Sequence, residues 1–323
     1  MKYISCKQIE HGINFDRDSI KLCCQYSAKG GGDTRVIDGY HGEPIDWNAF
    51  FAFKKEIKDL HKSGQIYHKC EGCIYLTEQE WEDEYDRFNF FNLDYWTRCN
   101  CNCIYCHTHN RKDDYNTRIT YNFLPILKEM EEKGMLMDGG DVSFGGGEIT
   151  LLKEFEECMN IFLNHNYFVR IHSGCIDFSP AVARGLSMGR ADVIVSIDAG
   201  SREMHERVKE VFTFDRVWNN ISEYVKAQSN PELVKVKYIV IPGVNDTTEE
   251  IDRFINKCLS VGAGYVLQEI ESQWFYTMRG SIPEYVYNLF DYMRKLATSK
   301  GLRYGEYERA AHMLAERKEN EQK

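Results

Sequence analysis

The stretch Arg98-Cys99-Asn100-Cys101-Asn102-Cys103-Ile104-Tyr105-Cys106-His107 places four cysteines within eight residues, directly after an apolar run at 88–95 that reads as a β-strand. Cys99, Cys103 and Cys106 form a CxxxCxxC pattern. Three thiolates on one short loop can hold three irons of a 4Fe-4S cluster and leave the fourth iron open to a non-protein ligand. Three other readings compete. Cys103, Cys106 and His107 match the CxxCH of c-type haem attachment, which normally follows export. A zinc knuckle is the second, although CxCxC packing is tight for it, and plain core thiols are the third.

Downstream, apolar β-like runs alternate with amphipathic helical stretches, the rhythm of βα units. Strands are expected at 88–95, 142–144, 167–172, 191–198, 234–241 and 265–270. Between them the spacing predicts helices over 119–133, with Pro125 near its start, and from a Thr150 cap through Phe155, Met159 and Phe162. Others follow Ser179-Pro180, span 215–228, open at the Thr247/Glu250 capping box, and cover 283–298. Six strands alternating with helices imply parallel pairing with right-handed crossovers, hence a doubly wound sheet or a barrel with its chemistry at the strand C-terminal ends.

With the cysteine pattern so placed, Gly145-Gly146-Gly147-Glu148 after the second strand completes a pairing of motifs. Together they resemble the radical S-adenosylmethionine enzymes, over about residues 88–270. Tyr105, the aromatic residue before the last cysteine, belongs to the same motif. The resemblance implies a partial (β/α)6 barrel with a 4Fe-4S cluster on Cys99, Cys103 and Cys106. The cofactor's amino and carboxylate groups would chelate the open iron. An electron from the cluster would then break the sulfur–C5′ bond, giving methionine and a 5′-deoxyadenosyl radical that takes hydrogen from a substrate. It also implies that Gly146, Gly147 and Glu148 meet the methionine amino group, and that Ser173, Ser196 and Asp198 lie near the ribose and carboxylate. Ile241, at the fifth-strand exit, would pack on the adenine. Ser173, Ser196 and Asp198 read equally well as turn or capping residues.

Residues 1–87 break the βα rhythm and hold five further cysteines; they read as a separate small module before a core at 88–271 and a helical extension at 272–323. Cys6, Cys23, Cys70 and Cys73 resemble the SPASM or twitch modules that carry an auxiliary 4Fe-4S cluster, except that those usually follow the barrel. Cys24 competes with Cys23 as ligand, and a structural zinc or unligated thiols are the plainer readings. Cys158 and Cys258 fall in helical patterns as core residues. Cys175, His107, His109, Glu269, Glu271 and Gln273 lie at strand exits, where loop residues are usually solvated.

The chain has 323 residues, 43% of them apolar and 28% charged, ordinary values for a globular protein. Forty basic against fifty acidic side chains leave a formal charge of −10, which argues against a nucleic-acid partner or an anionic membrane surface. No run of residues suits a transmembrane helix or a signal peptide, so a cytoplasmic setting is expected, in which twelve cysteines are metal ligands before they are disulfides. The function expected is a radical S-adenosylmethionine enzyme acting on a peptide or protein side chain, or on a small alcohol or sugar. A flavodoxin or ferredoxin would supply the electron. The alternative from another class is a non-catalytic zinc- or cluster-binding scaffold.

Overall fold

The structure is a computed structural model that describes residues 2–23, 34–106 and 121–321. It divides into two compact units, one of residues 1–98 with 117–170 and one of 99–116 with 171–323. Both are α/β; the first mixes antiparallel with parallel strand pairs, and the strand pairs of the second run parallel.

In the first unit, β1 (Lys2–Ser5) pairs antiparallel with β5 (Thr77–Glu80), and Cys6 follows at the start of α1 (Lys7–His11). β2 (Gly12–Asp16), β3 (Ser19–Lys21) and β4 (Arg35–Asp38) form an antiparallel meander. β2 also runs parallel to β6 (Phe88–Asp94), so the N-terminal segment shares a sheet with the first strand of the βα series. β6 pairs in parallel with β7 (Leu136–Phe144). The sequence suggested only 142–144 for this second strand, because Gly139-Gly140 reads as a breaker. Gly140 is instead what lets the strand approach: a Cβ there would lie 2.1 Å from the Asn89 carbonyl oxygen.

Three helices flank these strands. α2 (Trp47–Lys62) is capped by Asp46, whose carboxylate accepts from Ala49 N. α3 (Leu124–Glu132) starts later than the 119–133 helix expected; its Pro125 sits in the first turn, where a missing N–H costs nothing, and residues 119 and 120 lie outside the described residues. α4 (Phe155–Asn164) also starts later than expected. Thr150 lies inside a short 3-10 turn rather than capping α4, and it donates to Glu148 instead. The core is aromatic: Phe91, Phe123, Phe162 and Tyr167 meet edge-to-face or stacked, with centroids 5.2–6.5 Å apart.

β8 (Tyr167–Ser173) carries the chain into the second unit. There, β9 (Ala191–Ser196), β10 (Val234–Val240), β11 (Tyr265–Ile270) and β12 (Arg303–Glu306) stand side by side in parallel. Helices α5 (Pro180–Ser187), α6 (Arg202–Lys209), α7 (Phe214–Ala227) and α8 (Thr248–Ser260) connect them, each with its apolar stripe buried. α9 (Ser272–Met278), α10 (Glu284–Ser299) and α11 (Glu308–Glu321) complete the unit. β12 is a strand within the stretch expected to be helical; four residues carry no period that a sequence reading could use.

Candidate active site

The cysteine loop belongs to the second unit and is held there by its own backbone. Asn102 N donates to Lys209 O and Ile104 N to Val208 O, each at 3.0 Å, so the loop runs along the C-terminal end of α6. Cys106 N closes a turn on Cys103 O at 2.9 Å. Ile104 and Tyr105 pack on Val208, Ile239 and Ile241, an apolar wall built by α6 and the end of β10.

Below the loop lies a buried polar knot. The Tyr105 hydroxyl donates to Asp198 Oδ2 at 2.5 Å, and Lys209 Nζ donates to the Tyr105 oxygen at 2.7 Å and also to Asp198. Asp198 is wholly buried and Lys209 nearly so. Asp198 takes a left-handed φ of 59°, its Oδ1 accepts from Ile239 N, and its carbonyl accepts from Asn245 Nδ2. Burial pulls the Lys209 ammonium down, but the Asp198 carboxylate together with the neighbouring Cys103 and Cys101 thiols outweighs it and holds the pKa above the usual lysine range. The hydrogen bond from the Cys101 thiol, with the Lys209 charge behind it, holds Cys103 below the ordinary thiol range against desolvation, which suits a thiolate ligand. Cys101 is buried, its amide faces Cys99 Sγ at 3.4 Å, and its own thiol is pushed upward.

The remaining residues expected in this unit sit at strand ends. Ile241 N donates to Asn245 Oδ1 at 2.7 Å, which turns the chain after β10. Ser196 ends β9, half-buried, in register with Lys237. Ser173 Oγ accepts from Cys175 N at 2.8 Å, and Cys175 is fully buried. Glu269 accepts from Ala310 N and Arg309 N at the start of α11, while Glu271 accepts from Gln273 N and Trp274 N at the start of α9. His107, His109 and Cys24 lie outside the described residues.

In the first unit the glycine segment tracks the chain that leads toward the cysteines. Gly145 N donates to Leu93 O, Gly147 N to Trp96 O and Glu148 N to Arg98 O. A Cβ on Gly147 would lie 2.2 Å from Arg98 O; one on Gly146, whose φ is +82°, would lie 2.5 Å from Trp96 O and 2.7 Å from Asp94 Oδ1. Glu148 is 1% exposed, and its carboxylate accepts from the Thr150 hydroxyl at 2.9 Å. Beneath the glycines Asp94 ends β6 beside Asp16, its register partner on β2. Burial, and then the Asp16 charge, push its carboxyl up to about 6.

The β1–β5 ladder ends at Ser5↔Thr77, which sets Cys6 beside the Cys70–Cys73 turn, where Cys73 N donates to Cys70 O at 3.1 Å. Cys6 and Cys70 are buried, and burial, with neighbouring thiols adding to it, raises both. The Cys23 thiol donates to Gln8 Oε1, two residues beyond Cys6. Among the described residues, no three His, Cys, Asp or Glu side chains form the shell of a single metal ion. The loop's donor set of three half-buried thiols spread over eight positions instead fits a cluster, whose ligands each meet a different iron.

Residues 94–255, half of the chain, match the Radical SAM superfamily, and the chain belongs to that family. It is 27% identical over 128 residues to mycofactocin maturase MftC of Mycolicibacterium smegmatis, covering 38% of this chain and 32% of that protein. It is 26% identical over 194 residues to a probable GTP 3′,8-cyclase of Methanocella arvoryzae, covering 59% of each. Among solved structures, Streptococcus suis SuiB bound to its precursor peptide SuiA superposes with a TM-score of 0.51 at 12% identity, over 95% of this chain and 73% of SuiB. The chain thus spans about a third of the length of the maturase it matches.

The 4Fe-4S cluster and S-adenosylmethionine are the cofactors of this family. Three contributors escaped the sequence reading: Lys209, Asn245 and Asp94. Lys209 is an ordinary polar residue in a helical pattern, Asp94 one at a strand end and Asn245 one in the turn after β10, and only tertiary pairing gives each a role.

Proposed function

We propose that this chain cleaves S-adenosylmethionine reductively and uses the resulting radical to modify a peptide side chain. The observation that carries the reading is the Cys99–Cys106 loop, which presents three thiols on a backbone that Asn102 and Ile104 tie to the end of α6. The bound cluster supplies the electron that splits the cofactor's sulfur–C5′ bond. Cys99, Cys103 and Cys106 would hold three of its irons. Tyr105, Lys209 and Asp198 fix the loop, and Ile239 with Ile241 keeps water from one side of it. The family resemblance gives Gly146, Gly147 and Glu148 the methionine amino group, Ser173 and Ser196 the polar end of the nucleoside, and Ile241 the adenine. Asp198 is engaged by Tyr105, Lys209 and the Ile239 amide, so it positions the loop more than it meets the ribose.

Cys6, Cys70 and Cys73, with Cys23, would hold an auxiliary 4Fe-4S cluster, and a flavodoxin or ferredoxin would deliver electrons. The peptide substrate is supported by the likeness to a maturase and to SuiB, solved with a precursor peptide. No helix among the described residues is long and apolar enough to cross a membrane, and a reducing cytoplasm suits this chemistry.

The test is anaerobic reconstitution of the wild type and of a triple variant, Cys99→Ala, Cys103→Ala and Cys106→Ala, with iron and sulfide counts and a 5′-deoxyadenosine assay after dithionite. About eight irons falling to about four, with cleavage lost, is the expected outcome. Zinc in place of iron in the wild type would sink it.

A further inference from the structure

Side chains alternate along β10, so Lys237 shares a face with Ile239 and Ile241, the residues that pack on the cysteine loop. Its register partners are Ser196 on β9 and Leu267 on β11. Lys237 is only 8% exposed. Among the described residues its ammonium makes no hydrogen bond or ion pair; it lies 4.8 Å from the centre of the Tyr307 ring, which in turn faces the His172 ring at 6.2 Å.

The carboxylates that could neutralise it are engaged elsewhere. Asp198 is bound by Tyr105, Lys209 and the Ile239 amide. Glu269 accepts from Ala310 N at 2.9 Å and Arg309 N at 3.3 Å, with the Arg309 guanidinium 3.4 Å away. Glu308 is exposed and pairs with Arg309 at 3.7 Å. The other buried lysines differ: Lys58 pairs with Glu10 and Lys209 with Asp198, while Lys54, over the Phe88 ring, is completely sealed. Lys237 alone of these is unpaired and still accessible. An uncompensated buried ammonium is costly, and burial accordingly pulls its pKa below the ordinary lysine value.

We propose that Lys237, flanked by Tyr307 and His172, anchors an oxyanion of the substrate, a carboxylate or a phosphate. The inference rests on the reading above, because it names the charged group of the substrate that the radical would meet. A carboxylate suits a peptide, and a phosphate suits a nucleotide of the kind the cyclase relative is named for.

The test uses the full chain with its clusters reconstituted, and sodium acetate, inorganic phosphate and chloride at matched ionic strength as probes. Acetate or phosphate should raise the melting temperature of the wild type and of Lys237→Arg by about 2 °C or more beyond chloride, and leave Lys237→Met and Lys237→Gln unmoved. The same anion, at about ten times its dissociation constant, should slow acylation of Lys237 in the wild type about tenfold, read by peptide mass spectrometry. Which anion acts separates the two sources. A rise shared by chloride, by both uncharged variants, or unaccompanied by protection marks an adventitious ion only and overturns the proposal, as does no rise at all. Cleavage of S-adenosylmethionine by the wild type is scored separately. Its absence alongside a specific anion effect would sink the enzymatic reading and keep the subsite; cleavage without the anion effect would do the reverse.

Discussion

Gly147 shows how one missing methyl group lets two chain segments meet. Gly147 runs so close to Arg98 that a Cβ would sit 2.2 Å from its carbonyl oxygen, a backbone atom that cannot swing aside. Gly147→Ala is expected to cost about 2–4 kcal/mol, measured by denaturant unfolding, and to lower iron retention, because the displaced chain leads directly into Cys99. Unchanged stability would mean that the segment relaxes freely. Lys209 teaches a second lesson at this scale. A lysine in the last turn of a helix reads as a solvated favourable charge, yet here it is buried against Asp198 and Tyr105 and supplies the loop with both a cation and a carbonyl acceptor.

Inside the stretch expected to be helical, α11 was legible in advance, whereas the strand β12 before it was not. β12 is held in parallel register by β11, Tyr265↔Arg303 to Gln268↔Glu306, and a buried acid from that neighbour caps α11 across forty residues of sequence. Glu269 is therefore an N-terminal cap recruited from a strand, placed where the helix dipole favours an anion. Glu269→Ala should release α11, costing about 2–3 kcal/mol and opening residues 308–321 to limited proteolysis, while the parallel strands keep their circular dichroism. Proteolysis confined to other segments would refute the cap. By contrast, β8 to β11 were legible as strands because each is a short apolar run between turn signals, and α8 because Thr247 caps it through the Glu250 amide, although the Glu250 carboxylate turns to Gly200 and Ser201 rather than completing the capping box.

The response of the whole chain to acid follows from groups buried in their neutral forms. Burial, with the Lys209 charge adding to it, lowers His205 to about 4, and it is 1% exposed. His11 and His61 are lowered in the same sense, again by burial first. A histidine whose folded pKa lies below its unfolded value binds fewer protons when folded, so stability falls as pH drops below about 6.5 toward 4. Asp94, raised to about 6, works in the opposite direction over part of that window. The effect is therefore best read as a difference: His205→Gln should gain about 1–2 kcal/mol on the wild type between pH 7 and pH 5, measured by denaturant unfolding at each pH. A pH-independent difference would show that His205 titrates normally.

The sequence by itself determined the family, the CxxxCxxC pattern and the parallel strands of the core. Three cysteines at fixed spacing and a glycine run ending in glutamate are local patterns, and hydrophobic periodicity is read along the chain. Only the tertiary structure decided that β2 joins β6, that Cys6 lies beside Cys70 and Cys73, and that Lys237 shares the β10 face of Ile239 and Ile241 with no ion pair among the described residues. Those facts depend on which distant carboxylates, carbonyls and strand edges come together. Pairing of that kind costs loop-closure entropy and is set by burial and register, and it leaves no spacing in the chain to be read.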